Sequence, residues 1–316
     1  MGSGATVSRM DRTAPTVLIG GSGYLGSALA GSLLGDGAEV LVLTRGGSRT
    51  LASGAAAQHW DPAAGPDALS RHLAGATAVV NLAGESIGHG SWTPQRRELL
   101  TESRTRTTRL VVEALATLAP EQRPAALVNA SGVDYYGDRG DEAVTERDAP
   151  GSSFLATLCV RWEAEASRAE AFGVRVVRIR TGLVLAHDAE VLRRLALPFQ
   201  LFLGGRLGSG RQWVSWVHLA DIVGLYRLAL ENGAVSGPMN GVAPDPRREV
   251  EVAVAVGRAL HRPSWLPAPA LGLRLALGGQ ADLVLHGRRA VPEVALAHGY
   301  RFRYRTLEEA VAETLG

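Results

Sequence analysis

The sequence predicts an α/β protein: a doubly wound parallel sheet with a smaller C-terminal α-rich lobe. Three observations carry that prediction. Short β-branched runs alternate with helical stretches as far as about residue 200, and strands joined through helices pair in parallel because the crossover returns the chain to the same edge. A glycine-dense turn stands where the first run meets the first helix. Beyond residue 200 the alternation gives way to loops and to a tail rich in proline, leucine and arginine. The expected organisation is a flexible tail over residues 1–14, a nucleotide-binding sheet domain over 15–245 with substrate-cleft segments from about 182 onward, and a lobe over 246–316.

Thr16 to Gly20 (TVLIG) reads as a buried strand, and residues 23–35 as a helix with Leu25, Leu29, Leu33 and Leu34 on one side. Gly35 and Gly37 close that helix, and Glu39 to Leu43 is the next strand. Val79 to Leu82, Ala126 to Ala130 and Val174 to Ile179 follow as strands, with helices over 95–118 and 153–172 between them. Later helices are expected near 219–231, over 247–260 and from Thr306 to Leu315.

Composition narrows the chemistry. Of 316 residues 46% are apolar and 20% charged, as in a packed globular chain. The single cysteine, Cys159, excludes an internal disulfide and a multi-cysteine zinc site, and points to a reducing, cytoplasmic setting. All 33 basic residues are arginine, so a lysine Schiff base, a P-loop lysine and a lysine-assisted tyrosine are excluded. A net charge of +2 gives no nucleic-acid stripe, and the apolar run from Leu266 to Leu285 is too interrupted to span a bilayer. The partner to expect is a small-molecule substrate, with neither nucleic acid nor membrane; no metal is implied, and oligomeric state is not legible.

The turn Gly20-Gly21-Ser22-Gly23-Tyr24-Leu25-Gly26 satisfies GxxGxxG from Gly20 and GxGxxG from Gly21. Between a strand and a helix, that spacing is the Rossmann-type dinucleotide site: the backbone turns tightly and the pyrophosphate rests on the helix N-terminus. At the end of the second strand, an Asp or Glu would take a ribose 2′-hydroxyl. Thr44-Arg45 stands there instead, and a guanidinium matches a 2′-phosphate, so NADP(H) is the expected cofactor.

With these segments the chain resembles the extended and atypical short-chain dehydrogenase/reductases of the NAD-dependent epimerase/dehydratase superfamily, and within it the epimerase-like subfamily with an extra C-terminal domain. The resemblance rests on Gly20–Gly26, Val80 to Ile87 (VNLAGESI), Trp92, Ser103-Arg104, Thr107 to Arg109 and Ser131 to Gly137 (SGVDYYG). It continues through Trp162-Glu163, Arg180 to Leu185, Gly208 to Trp213, Ser215 to His218, Asp221, Asn240 to Pro244, His261 to Pro263 and Gly299-Tyr300. It implies that Leu82 and Ala83 line the cofactor riboses, that Arg104 stands near the cofactor, that Val184 lies in the loop covering the nicotinamide, and that the C-terminal lobe closes over the substrate.

The superfamily's Tyr-x-x-x-Lys pair is missing: Leu155 and Cys159 fall where its two members would be. Candidate replacements are Glu85, at the end of a parallel strand where ligands bind, and Tyr135 or Tyr136 with Ser131. If Tyr135 sets the register, Ser131 takes the accompanying hydroxyl role; if Tyr136 does, Gly132 occupies that place. Asp134 and Cys159 are weaker candidates. Val214 replaces the arginine that sugar-nucleotide enzymes pair with a diphosphate, and Trp213 and Trp216 suggest an apolar wall, so a largely uncharged substrate is expected. His218 and Asp221 read as a helix start. Three functions fit: an NADP(H)-dependent oxidoreductase or epimerase-like enzyme, a non-catalytic NADP(H)-binding regulator, and a redox-neutral isomerase or cyclase.

Overall fold

The computed structural model describes residues 14–187 and 189–316, so the tail expected over 1–14 falls almost wholly outside the described residues. Eight strands form the central sheet: β1 (Thr16–Ile19), β2 (Val40–Thr44), β3 (Arg49–Thr50), β4 (Ala56–His59), β5 (Ala78–Asn81), β6 (Ala126–Gly132), β7 (Arg175–Thr181) and β8 (Gly237–Gly241). Their spatial order is β8-β7-β6-β5-β1-β2-β4-β3, parallel throughout except for the short β3–β4 pair. The order reverses at β1, between β2 and β5, which is where ligands bind in sheets of this kind.

One face carries α1 (Tyr24–Gly35) and later helices. The other carries α2 (Pro66–Leu73), α3 (Pro94–Thr117) and α4 (Phe154–Ser167). The strands are apolar on both sides because both faces are covered: all four residues of β1 and of β5 are buried. Helix starts follow local chemistry. Thr93 accepts from the Arg96 amide and is followed by Pro94; Ser153 accepts from the Ala156 amide at the head of α4. The cluster under α1 continues through Val217, Val252, Val256, Phe302, Leu307 and Val311, so the chain beyond residue 245 shares one core with the sheet.

The expected strands and helices form within one or two residues of their predicted bounds, except that residues 168–172 tighten into a 3₁₀ turn. β3, β4, α2 and β8 had no counterpart in the sequence reading. β4 buries only Ala57, and β8 (GPMNG) carries a proline that a parallel sheet accepts only at its edge.

Helix α5 (Glu190–Gln200) leads into the glycine loop 204–210, and α6 (Leu219–Glu231) and α7 (Glu249–Ala259) follow. The loop is tied to α7 by the buried Glu249 carboxylate, which accepts from the Leu207 amide at 2.9 Å. Burial pushes that carboxyl up to about 7 from an ordinary value of 4.5. The folded chain therefore holds a proton that the unfolded chain releases, and stability present below the unfolded pKa is lost as pH rises through about 7. Glu249→Gln keeps an acceptor for Leu207 and removes the titration. It should leave the urea midpoint nearly unchanged below about pH 4 and add roughly 3 kcal/mol of stability at pH 8.

Candidate functional site

The glycine turn is shaped by contacts that admit no side chain. Gly20 has a φ of +74°, and a Cβ there would lie 2.7 Å from the Ala83 Cα, so β1 and the end of β5 meet backbone to backbone. A Cβ on Gly26 would lie 2.4 Å from the Gly21 Cα, which presses α1 against the turn. Gly23 is different: a Cβ there meets nothing within 4 Å. It is the N-cap of α1, no side chain caps the helix, and no acidic residue stands in the first turn. Its leading amides thus face open space beside the switch point, an arrangement suited to a diphosphate. Ser22 and Tyr24 are exposed over this mouth, and Leu25 is half-buried against the core.

Thr44 ends β2 buried, with its hydroxyl accepting from the Gly46 amide, and Arg45 projects beside it with its side chain 78% exposed. Arg45 Nη2 lies 3.5 Å from Glu85 Oε1, and Arg96 Nη1 lies 3.6 Å from Glu85 Oε2. Arg104 stacks over the Trp162 ring at 5.2 Å and donates to the Glu85 carbonyl at 2.8 Å. Two arginines therefore pair with the Glu85 carboxylate and a third holds its carbonyl, leaving positive charge at the rim. Glu85, the candidate at the end of a parallel strand, is half-buried and paired with two cations. Leu82 and Ala83 extend β5 toward the glycine turn, the Leu82 amide donating to Ile19 and the Ala83 amide to the Asn81 side chain. Val184 stands in a short strand (Leu183–Leu185) pairing with Trp216–His218, with its side chain in the core; the loop expected there is replaced because both segments are apolar and pair in register.

Beyond β6 lies a buried polar chain that the sequence reading had not assembled. Ser131 Oγ donates to Glu163 Oε1 at 2.7 Å, and Glu163 takes the Arg180 guanidinium in a fork, at 2.8 Å to Nε and 2.9 Å to Nη2. Arg180 Nη1 donates to the Tyr136 hydroxyl at 2.9 Å, which donates to Asn240 Oδ1 at 2.7 Å. Arg180 and Glu163 are almost fully buried, and burial pushes Tyr136 up to about 12. Tyr136 and Ser131 are committed to this chain. Tyr135 is half-buried, with the Arg180 guanidinium 3.4 Å over its ring, and among the described residues nothing bonds its hydroxyl. Cys159 is buried near Gly132, its thiol pushed up to about 12 by burial, so it is no nucleophile at neutral pH. One signal for the network was present in the sequence: an arginine at position 180 inside the apolar run of β7.

A cleft of about 570 Å³ opens beside this network, between the turn after β6, the head of α4 and residues 282–288. Its walls include Trp92 stacked edge-on against Phe154, Arg97 over the Phe154 ring, Leu155, Asp134 and Arg288. Arg288 Nη1 meets Asp134 Oδ1 at 2.5 Å, and the wall bearing Arg288 is fastened on both sides. Ser215 Oγ donates to the Arg288 carbonyl and accepts from the Ala290 amide, while Arg289 and Ala290 pair in parallel with Ala143 and Val144.

The tryptophan wall does not form. Trp216 is fully buried with its indole donating to the Asp245 carbonyl, and Trp213 lies between Arg248 and Arg289 and bonds Asp141, so both fasten the fold. The cleft that exists is charged, with arginines 97, 139 and 288 among its lining, which departs from the largely uncharged substrate expected. His218 caps α6 through Nδ1, and Asp221 accepts from the Arg303 and Tyr304 amides, so both hold elements in place.

Residues 16–240 match the NAD dependent epimerase/dehydratase family, and residues 268–314 match a domain of unknown function, DUF1731. An epimerase family protein of Mycobacterium leprae is 38% identical over 310 residues, covering 97% of both chains. A chloroplastic homolog of the epimerase family protein SDR39U1 from Arabidopsis thaliana is 37% identical over 300 residues, covering 92% of this chain and 84% of its own. The crystal structure of human epimerase family protein SDR39U1 (isoform 2) with NADPH superimposes with a TM-score of 0.86 at 32% identity, covering 95% of this chain and 99% of the human one. A Thermus thermophilus UDP-glucose 4-epimerase in complex with NAD, at 20% identity and a TM-score of 0.75, shares the fold; the alignment covers 95% of this chain and 97% of that one.

Proposed function

The chain belongs to the NAD-dependent epimerase/dehydratase family, and from that membership we propose that it is an NADP(H)-dependent oxidoreductase or epimerase-like enzyme acting on a small organic substrate. The observation that carries the cofactor is Arg45. It stands exposed at the end of β2, where an acid would repel a 2′-phosphate, and its one carboxylate contact among the described residues is a loose 3.5 Å pair with Glu85. Gly23 and the uncapped start of α1 leave room and amides for the diphosphate, with Leu82 and Ala83 beside them. The NADPH bound by the human relative supports the same reading.

The nicotinamide would supply a hydride, and the protein would supply orientation and a proton. Of the four candidate groups, Tyr135 suits the proton role best. Tyr136 and Ser131 are bonded within the buried chain, and Glu85 is held by Arg45 and Arg96 on the phosphate side. Asp134, fixed by Arg288, lines the cleft beside it and would orient substrate there. A non-catalytic NADP(H)-binding role is favoured by one observation: Leu155 and Cys159 occupy the places of the usual proton-transfer pair, and both are buried and inert.

Titration with NADPH and NADH tests the cofactor. Arg45→Ala should weaken NADPH by about tenfold to a hundredfold, the worth of a charge-assisted phosphate contact, and leave NADH unchanged. Equal losses for both cofactors would take the 2′-phosphate away from Arg45. Turnover in a carbonyl and enone screen that survives in wild type and falls in Tyr135→Phe would separate the enzyme from the regulator.

A further inference from the structure

Among the described residues, fifteen large apolar side chains are more than a third exposed, and nine of them fall within two short stretches, residues 197–203 and 265–277. The stretches adjoin. The amides of Trp265 and Leu266 donate to the Gly204 carbonyl, the Ala268 amide donates to Arg206, and the Arg262 guanidinium lies 4.5 Å over the Phe202 ring. The helix Ala270–Leu277 buries no residue at all, and Leu271 and Leu275, one turn apart on the same face, are 71% and 80% exposed. Phe202 is held at a φ of +63°, a conformation costly for a non-glycine residue, with its ring turned outward. A contiguous face of this kind marks a binding surface and not ordinary scatter.

Charge decides what covers it. The face itself, residues 197–206 and 262–277, carries Arg206, Arg262 and Arg274 and no aspartate or glutamate. The acidic groups described beside it are Asp282, which Arg274 reaches only at 3.6 Å, and the buried Glu249, which bonds the Leu207 amide at its edge. A two-fold contact with a second copy would set arginine against arginine around the apolar centre. A sheet of acidic headgroups over hydrocarbon answers both features, since leucine, phenylalanine and tryptophan enter the interface while arginines meet the phosphates. We propose that the face formed by residues 197–206 and 262–277 docks on an anionic lipid bilayer. The proposal departs from the expectation of no membrane partner and concerns this surface alone; no described helix is long and apolar enough to cross a membrane.

The test is co-sedimentation of the full chain with phosphatidylcholine vesicles, with and without a quarter phosphatidylglycerol, alongside light scattering in the absence of vesicles. The expected result is binding to the anionic vesicles that weakens with salt and is at least about tenfold poorer to neutral ones. Leu271→Glu with Leu275→Glu should abolish it. Because both side chains are exposed, the urea midpoint should stay unchanged, which separates lost docking from lost folding. Arg274→Glu should weaken binding while leaving the apolar residues intact. No sedimentation with anionic vesicles overturns the proposal, and so does a stable dimer that the double variant converts to monomer.

Discussion

Glu163→Ala should destabilise the protein by about 3–5 kcal/mol, the cost of stranding a buried cation without its counterion. Arg180 is nearly inaccessible near the C-terminal end of β7, and its fork on Glu163 is the only carboxylate contact it makes among the described residues. Removing the carboxylate also frees the Ser131 hydroxyl, leaving a second buried donor unpaired. The pair is weak evidence of net stabilisation in itself, because both charges were desolvated to form it. The discriminating experiment is therefore a cycle. Arg180→Met combined with Glu163→Leu should recover much of what either single change loses, measured as urea midpoints. If Glu163→Ala alone costs less than about 1 kcal/mol, the network does not hold β7, α4 and the turn after β6 together.

Gly26→Ala should remove dinucleotide binding and cost about 1–3 kcal/mol of stability, the usual range for forcing atoms into a packed site. The added methyl would meet the Gly21 Cα at 2.4 Å and its carbonyl oxygen at 2.5 Å. Both are backbone atoms of the turn itself, so relief comes only by lifting α1 from β1 and moving the amides that face the diphosphate. Gly23→Ala is the control. Its methyl meets no protein atom within 4 Å, so the fold should be untouched within about 0.5 kcal/mol. NADPH affinity should still fall, because the methyl enters the space the diphosphate would use. Isothermal titration and urea denaturation on the two variants read these effects apart. A Gly26→Ala protein that binds NADPH normally would move the cofactor off this turn.

The parts of this protein that were legible in its sequence are those set by local pattern. β1, the glycine turn and α1 follow from a β-branched run, a spacing and a leucine periodicity, and Arg45 follows from its place after a strand. β4 and β8 were not legible for different reasons: Ala57 is the one buried residue of β4, and the glycines and proline of β8 (GPMNG) read as a turn. The buried chain from Ser131 to Asn240 was not legible either, since its members come from β6, α4, β7 and β8, and only the parallel register brings Ser131 opposite Arg180. Trp213 and Trp216 show the converse. Their clustering suggested a wall for ligand, yet an aromatic flanked by arginines is also a way to fasten two segments, and composition cannot choose between the two.

The wall that carries Arg288 into the cleft is attached to the main sheet domain from both sides, by the Ser215 hydroxyl gripping the chain at 288 and 290 and by the strand pair with residues 143–144. Such a wall behaves as a mould, not as a hand that closes. A molecule of the wrong outline is refused because the backbone bonds holding the wall would have to break before it could yield. As the proposed substrate cleft, it would be sharp in its selection of shape and unforgiving of bulk. A change of ligand preference in a descendant of this protein is to be sought in the side chains that face inward, from Arg97, Asp134 and Phe154, and not in rearrangement of the frame that carries them.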